Sequence, residues 1–187
     1  MPEGTVLTAD GAAADAAADL AARVRRLEDL HRIRYVLQTY ARALDRGDWD
    51  LMRACFTADA TDNHGPFQGP VDALVRGTRE LMAEYWGTMH VLGQSHIEVD
   101  GGTAAAETYA LSFHRRHGRD GGGDEDTVTG IRYIDRLVRT SGGWLIAERI
   151  TVQEWNTTLP AREWMNTALW VNGRADRADV SYSAGLP

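Results

Sequence analysis

The apolar period of this chain changes once. Between Arg23 and Gly47, Leu27, Leu30, Ile33, Leu37, Tyr40, Ala41 and Leu44 recur three and four residues apart. That is the spacing of one face of a helix, and Arg and Glu fill the opposite face. From Met89 onward the alternation has a period of two, in segments hinged at Asp100-Gly101-Gly102 and at Ser141-Gly142-Gly143. Such turns join antiparallel strands. Helices first and hairpins second is the order of an α+β fold. One curved, mostly antiparallel sheet wrapped around three N-terminal helices makes a cone-shaped α+β barrel, and its open end is a natural apolar pocket.

The helix should stop near Gly47, a residue suited to a helix C-terminus. Asp48 is a natural N-cap for a second, short helix that buries Trp49, Met52, Cys55 and Phe56. Residues 57–70 read as a short strand with turns. Pro70 opens a third helix with Val71, Leu74, Val75, Leu81 and Met82 inward. The spacing predicts three segments: a flexible, Ala/Gly/Asp-rich stretch at 1–20, the α+β domain at 21–157, and a C-terminal extension at 158–187. The extension holds Trp164, Trp170 and Tyr182 without a clean period. The Gly/Asp-rich stretch 118–127 reads as a mobile loop.

Composition removes several classes of function. Across 187 residues the net charge is -7, and lysine is absent, so all 20 basic side chains are Arg. A nucleic-acid face needs clustered basic residues, and none is found. No apolar run approaches the ~18 residues of a membrane span. No basic region leads into an apolar core at the N-terminus, so the expected location is the cytoplasm. The single cysteine, Cys55, admits no internal disulfide and fits a small buried position.

There is no HExxH, no Cys/His cluster, no phosphate loop between strand and helix and no G-x-S-x-G turn. Neither metal nor cofactor is indicated, which leaves acid–base side chains to do any chemistry. The candidates are Asp45, His64, His90, His96, His114, Tyr40 and Arg132. A carboxylate bonded to one imidazole nitrogen fixes the tautomer and raises the basicity of the other nitrogen. On the strand from 103 to 115, Ala104, Ala106, Thr108, Ala110, Ser112 and His114 form a small, partly polar face, as a pocket wall would. His114 stands at its end. His90 and His96 are an even number of residues apart and are free to share a face. Arg132 shares a face with Gly130 and Ile134, and either enters the pocket or pairs with an acid at the rim. Spacing alone leaves plain alternatives open. Asp45, between Arg42 and Arg46, fits a salt-bridged surface acid. His90 fits a structural histidine, His64 a turn residue, and Tyr40 a core residue. His31 and His117 fit exposed positions.

The stretches "YARALDRGDWDLMRACFTADATDNHG", "GTMHVLGQSHIEVDGGTAAAETYALSFHRR" and "GGWLIAERITVQEW" together resemble the SnoaL-like branch of the nuclear transport factor two-like superfamily, over residues 25–157. The resemblance implies a cone-shaped barrel with a deep pocket, commonly a dimer or trimer. Its members include polyketide cyclases, scytalone dehydratase, a dehydrochlorinase and an epoxide hydrolase, along with non-catalytic small subunits of ring-hydroxylating dioxygenases. In the dehydratase and dehydrochlorinase, an acid near the end of the first helix pairs with a histidine at the start of a strand. By position these fall on Asp45 and His90, and the dehydratase's second histidine falls on His114. Two of the dehydratase's tyrosines fall on His64 and Leu44, departures that argue against scytalone as substrate.

The implied function is a cofactor-independent dehydratase or cyclase, acting on a small apolar or polyketide-like metabolite. Asp45, His90 and His114 would be catalytic, with Tyr40, His64, Arg132 and Trp155 contacting substrate. The expected partners are that small molecule and further copies of the chain, with neither nucleic acid nor membrane. The alternative is a ligand-binding protein or a subunit resembling the dioxygenase small subunit, with Asp45 and His90 a structural pair. A third reading is an isomerase or an epoxide hydrolase on the same scaffold, and the hydrolase would need two carboxylates beside an arginine such as Arg132.

Overall fold

A computed structural model describes residues 9–118, 122–161 and 167–187. Helix α1 (Ala9–Arg46) is longer than the apolar stripe predicts. Residues 13–28 are exposed turns, so this part of the expected flexible stretch continues the helix, while residues 1–8 lie outside the described residues. Leu27, assigned to the inward stripe, is 66% exposed because the helix meets the sheet only beyond it. From Ile33 the stripe is buried as its spacing predicts, through Leu37, Tyr40, Ala41 and Leu44.

Two paired hydrogen bonds close α1. The Gly47 N–H donates to the Leu44 carbonyl at 3.2 Å and the Asp48 N–H to the Ala43 carbonyl at 2.9 Å. This helix ending requires a left-handed residue, and Gly47 supplies it with φ of 62°. Asp48 then caps α2 (Trp49–Ala54), accepting from the Leu51 N–H at 3.2 Å. The stretch expected to hold one strand makes a hairpin instead, β1 (Phe56–His64) and β2 (Phe67–Pro70), ahead of α3 (Val71–Met82). Four long strands follow: β3 (Gly87–Asp100), β4 (Thr103–Arg116), β5 (Glu125–Thr140) and β6 (Gly143–Pro160). The sheet runs β2-β1-β6-β5-β4-β3, antiparallel except where β1 lies parallel to β6. The fold is thus α+β, a curved sheet closed over the helices as a cone. Of the stretch expected to be a mobile loop, 119–121 lie outside the described residues, as does Trp164 in the extension. No helix among the described residues is long and apolar enough to cross a membrane.

Three extra residues in the strands decide which side chains face the core. In β3, Leu92 pairs with Ala110 but Ser95 pairs with Thr108, so one additional residue is accommodated. In β6, Ala147 is skipped between the pairs Leu137–Ile146 and Arg136–Glu148. Glu154 is skipped between Ile131–Gln153 and Gly130–Trp155. Each bulge inverts the in–out alternation beyond it.

The second bulged strand places Arg149 in the interior, its side chain fully buried with that of Asp135. Arg149 Nε and Nη2 donate to the two Asp135 carboxylate oxygens at 2.7 and 2.9 Å. The guanidinium carbon lies 4.0 Å from the Tyr40 ring centre and 4.2 Å from that of Tyr133. Both rings present electron-rich faces to the cation. Burial opposes the charge on Arg149, yet Asp135 beside it raises the guanidinium above its ordinary range and keeps it charged. The extension (its 3-10 turn at Thr167–Leu169 and α4 at Val180–Ser183) returns along α1.

A buried cation stripped of its acid has nothing to neutralise it. Asp135→Asn is therefore expected to lower the unfolding free energy by ~3–5 kcal/mol, measured by urea denaturation.

Candidate active site

The last turn of α1 and the start of β3 meet through one carboxylate. Asp45 Oδ2 accepts the His90 backbone N–H at 2.8 Å, and Asp45 Oδ1 accepts the Thr88 hydroxyl at 3.3 Å. The same Oδ1 lies 2.7 Å from His90 Nδ1. Burial pushes the Asp45 carboxyl up, but the His90 imidazole and backbone N–H outweigh it, and the net direction is down. An ionised carboxylate only accepts, so Nδ1 carries the hydrogen, which in a neutral imidazole leaves the lone pair on Nε2. The surface reading of Asp45 fails because its neighbouring arginines are engaged elsewhere. Arg46 Nη1 donates to Asp179 and to the Arg174 carbonyl, each at 2.8 Å. Arg42 Nε donates to the Pro187 carbonyl at 2.7 Å. The C-terminal extension thus occupies the cationic flank of α1, and Asp45 turns to β3.

His90 lines a cavity of about 480 Å³ at the open end of the cone. Leu44, Leu74, Leu81, Met82 and Tyr85 make its apolar side, while Ser112, Thr127, Thr129, Thr151 and Gln153 make a polar one. His114 belongs to the inward face of β4, as alternation predicts. Its ring centre is 5.3 Å from that of His90, edge to face, and 5.0 Å from that of Tyr85. Burial first, and then the nearby His90 imidazole, push His114 down to about 4, so it is neutral near pH 7. Its Nε2 is buried without a hydrogen-bond partner. Tyr40 also reaches the cavity; burial raises its phenol well above the usual range, so it too stays neutral.

His64 lies on the opposite wall, where β1 turns into β2. Its Nδ1 is 3.0 Å from Thr151 Oγ1 and 3.4 Å from Asp62 Oδ1. Arg132 and Trp155, expected at the pocket, are on the outer face of the sheet. Arg132 is bound there to Glu107 and Glu154, each at 2.6 Å. The inward residues of β5 are the odd-numbered ones, such as Ile131 and Tyr133, which leaves Arg132 outside. Trp155 follows the Glu154 bulge and lies over Gly130, where an added Cβ would sit 2.5 Å from the indole. His96 points outward as well, 3.5 Å from Glu98, because the β3 bulge separates it from His90. A wider, shallower depression of about 690 Å³ accompanies Arg132 and Trp155 on that outer face. Its ionic groups are paired to one another, so the groups free to move protons are inside the cone.

Asp62, Asp135 and Arg149 join the site without having been expected from the sequence. Asp62 had a usable signal, since its two-residue spacing from His64 puts both on one side of β1. Arg149 had none, because alternation from buried Trp144 and Ile146 places it outside. The carboxylate–arginine–carboxylate grouping sought around Arg132 has a buried counterpart at Arg149, with bonded Asp135 and with Asp62 as its partner in strand register. Among the described residues, no three His, Cys, Asp or Glu side chains gather as a metal-binding group.

A family model described as "SnoaL-like domain" matches residues 25–150. An uncharacterised protein of Mycobacterium tuberculosis (strain H37Rv) is 27% identical over 135 residues, which is 68% of this chain and 86% of that protein. The fold is similar to that of a candidate scytalone dehydratase from Novosphingobium aromaticivorans. The TM-score is 0.64 and the identity 21%, covering 73% of this chain and 91% of that one. A type 2 hexachlorocyclohexane dehydrochlorinase has a TM-score of 0.65 at 16% identity, covering 77% of this chain and 97% of its own.

Neutral His114 carries a stability signature. In the unfolded chain a histidine takes up its proton near pH 6.5, whereas in the fold His114 does so only near 4. Between those values the unfolded state binds more protons, so stability falls as pH falls, by an amount on the order of 3 kcal/mol. Urea denaturation at pH 7 and pH 4.5 should show a shallower decline in His114→Gln than in the wild type.

Proposed function

The chain belongs to the SnoaL-like domain family, and from that premise we propose that it is a cofactor-independent acid–base enzyme of the dehydratase or cyclase class. Its substrate is a small apolar or polyketide-like molecule held in the cone cavity. The observation that carries this reading is the 2.7 Å contact between His90 Nδ1 and Asp45 Oδ1 at the cavity wall. His90 Nε2 takes a proton from a carbon next to a carbonyl or a leaving group. Asp45 stabilises the imidazolium that results. His114, held neutral with a hydrogen on its unpartnered Nε2, donates a hydrogen bond to the departing or developing oxygen, which finally takes up the proton held by His90. Tyr40 shapes the floor against the ligand. Positioning in a water-poor cavity adds to the acid–base contribution.

The expected assembly of two or three copies has support on the outer face. Met89, Val91, Tyr109, Leu111 and Trp155 are between 36% and 52% exposed there. A contiguous apolar sheet face of this kind favours burial against a second copy. Light scattering should give a mass above that of one chain, and Trp155→Arg should shift it toward the monomer.

The base can be tested with 5-nitrobenzisoxazole, whose ring opens to a coloured phenolate when a base removes its carbon-bound proton. The wild type should turn it over. His90→Ala should lower kcat/KM by at least ~10²-fold, and Asp45→Asn should also lower it, with circular dichroism unchanged. Retention of the wild-type rate by both variants would sink the proposal.

A further inference from the structure

The cavity has a second histidine–carboxylate pair that the proposed reaction does not use. Asp62 is 2% exposed, and neither of its carboxylate oxygens has a hydrogen-bond partner. Leaving an ionised carboxylate in that state is costly, so something must offset its charge. Arg149 gives Nε and Nη2 to Asp135, and its buried Nη1 makes no hydrogen bond to Asp62. With both carboxylates ionised, one guanidinium leaves one negative charge over, and burial already pushes the Asp135 carboxyl upward. Tyr40 and Tyr133 cannot offset it, since both are neutral phenols whose ionisation burial pushes upward. The basic group placed against Asp62 is His64, with Nδ1 at 3.4 Å.

His64 is also the member of this group that reaches the cavity. Thr151 Oγ1 at 3.0 Å and Asp62 both stand on its Nδ1 side, which directs the other nitrogen, Nε2, away from them. The charged group against it is Asp62 on its own strand, and Arg149 on β6 and Asp135 on β5 stand next to Asp62. His90 and His114 line the same cavity from β3 and β4.

We propose that Asp62 and His64 form an oxyanion-binding subsite, in which His64 carries the proton that balances Asp62 and presents Nε2–H to an acidic oxygen of the ligand. The ligand class this selects is a small, largely apolar ring compound with a carboxylate, enolate or phenolate oxygen at its β1 end. The apolar body lies against Leu74, Leu81 and Met82. The inference rests on the cone cavity being the ligand site, but it requires no role for His90 as a base. Here His64 is a ligand-contacting residue and Asp62 a positioning residue that acts through it.

The test uses 1-naphthoate and its uncharged analogue 1-naphthamide, with binding followed by calorimetry at pH 7. The wild type should bind the carboxylate at least ~10-fold more tightly than the amide, a margin of about 1.4 kcal/mol. His64→Gln should bring the two within threefold of each other, while His90→Ala should keep the preference. Long-range proton–nitrogen NMR should find both His64 ring nitrogens protonated at pH 7 in the wild type, and only one in Asp62→Asn. The proposal is overturned by a neutral His64 in the wild type, by absent or unselective naphthoate binding, or by a preference that survives in His64→Gln. Loss of turnover in His90→Ala bears on the base alone, so the two proposals can fail separately.

Discussion

A fully buried guanidinium needs its counter-charge within the protein, and the contact around Arg149 joins three elements. Asp135 on β5 supplies the counter-charge, Tyr133 on β5 and Tyr40 on α1 supply ring faces, and β6 supplies the arginine itself. This ties the longest helix to the middle of the sheet by a contact with a preferred geometry, whereas apolar packing alone is indifferent to direction. It also settles the depth of the cavity. Tyr40 and Tyr133 lie between the guanidinium and the empty space above, so the cavity ends on two aromatic rings backed by a cation. What lies above that floor is set by the strand positions that follow.

The reactive end of the cavity depends on how α1 stops. Gly47 turns the chain out of the helix, and the extension meets the helix end so closely that a Cβ at Gly47 would lie 2.7 Å from the Ala175 carbonyl oxygen. Arg177 reaches Asp48 at 2.8 Å from the same segment. The final turn of α1 is therefore held from the outside by the extension and from the inside by the Asp45 contacts to β3. A carboxylate in the last turn of a helix lies near the negative end of the helix dipole, an unfavourable place for an anion. The hydrogen bonds from His90 and Thr88 make up for it. The Asp45–His90 contact is thus a structural joint between α1 and β3 as well as a feature of the cavity wall.

The helices, the hairpins and the inward face of β4 were legible because each rests on a local period. His114 followed from alternation within one unbroken strand. His90 and Asp45 are separated by 45 residues of sequence, and no local pattern joins them; position within a family resemblance did. What failed did so mostly at bulges. His96, Trp155 and Arg149 all lie beyond an extra residue that turns the strand over, and a single sequence does not mark where a strand absorbs one residue too many. Gly93 at the β3 bulge is a hint, but Ala147 and Glu154 are ordinary strand residues. Arg132 failed for another reason: its strand was entered on the wrong parity, and an arginine flanked across the ladder by Glu107 and Glu154 is at home in solvent.

The walls of the cavity differ in how much else depends on them. Asp45, His90, His114 and His64 stand on the end of a long helix and on sheet strands whose register is shared with the core. Helix α3 is short, contacts the ligand space through Leu74, Gly77, Thr78, Leu81 and Met82, and carries none of the proton-handling groups. At Gly77 a side chain would meet nothing within 4 Å. Substitutions along this one helix can shorten or reshape the ligand space while the chemistry on the facing walls is left in place. In α3 the chain has one wall of the cavity that can be altered without touching the histidines on the facing walls.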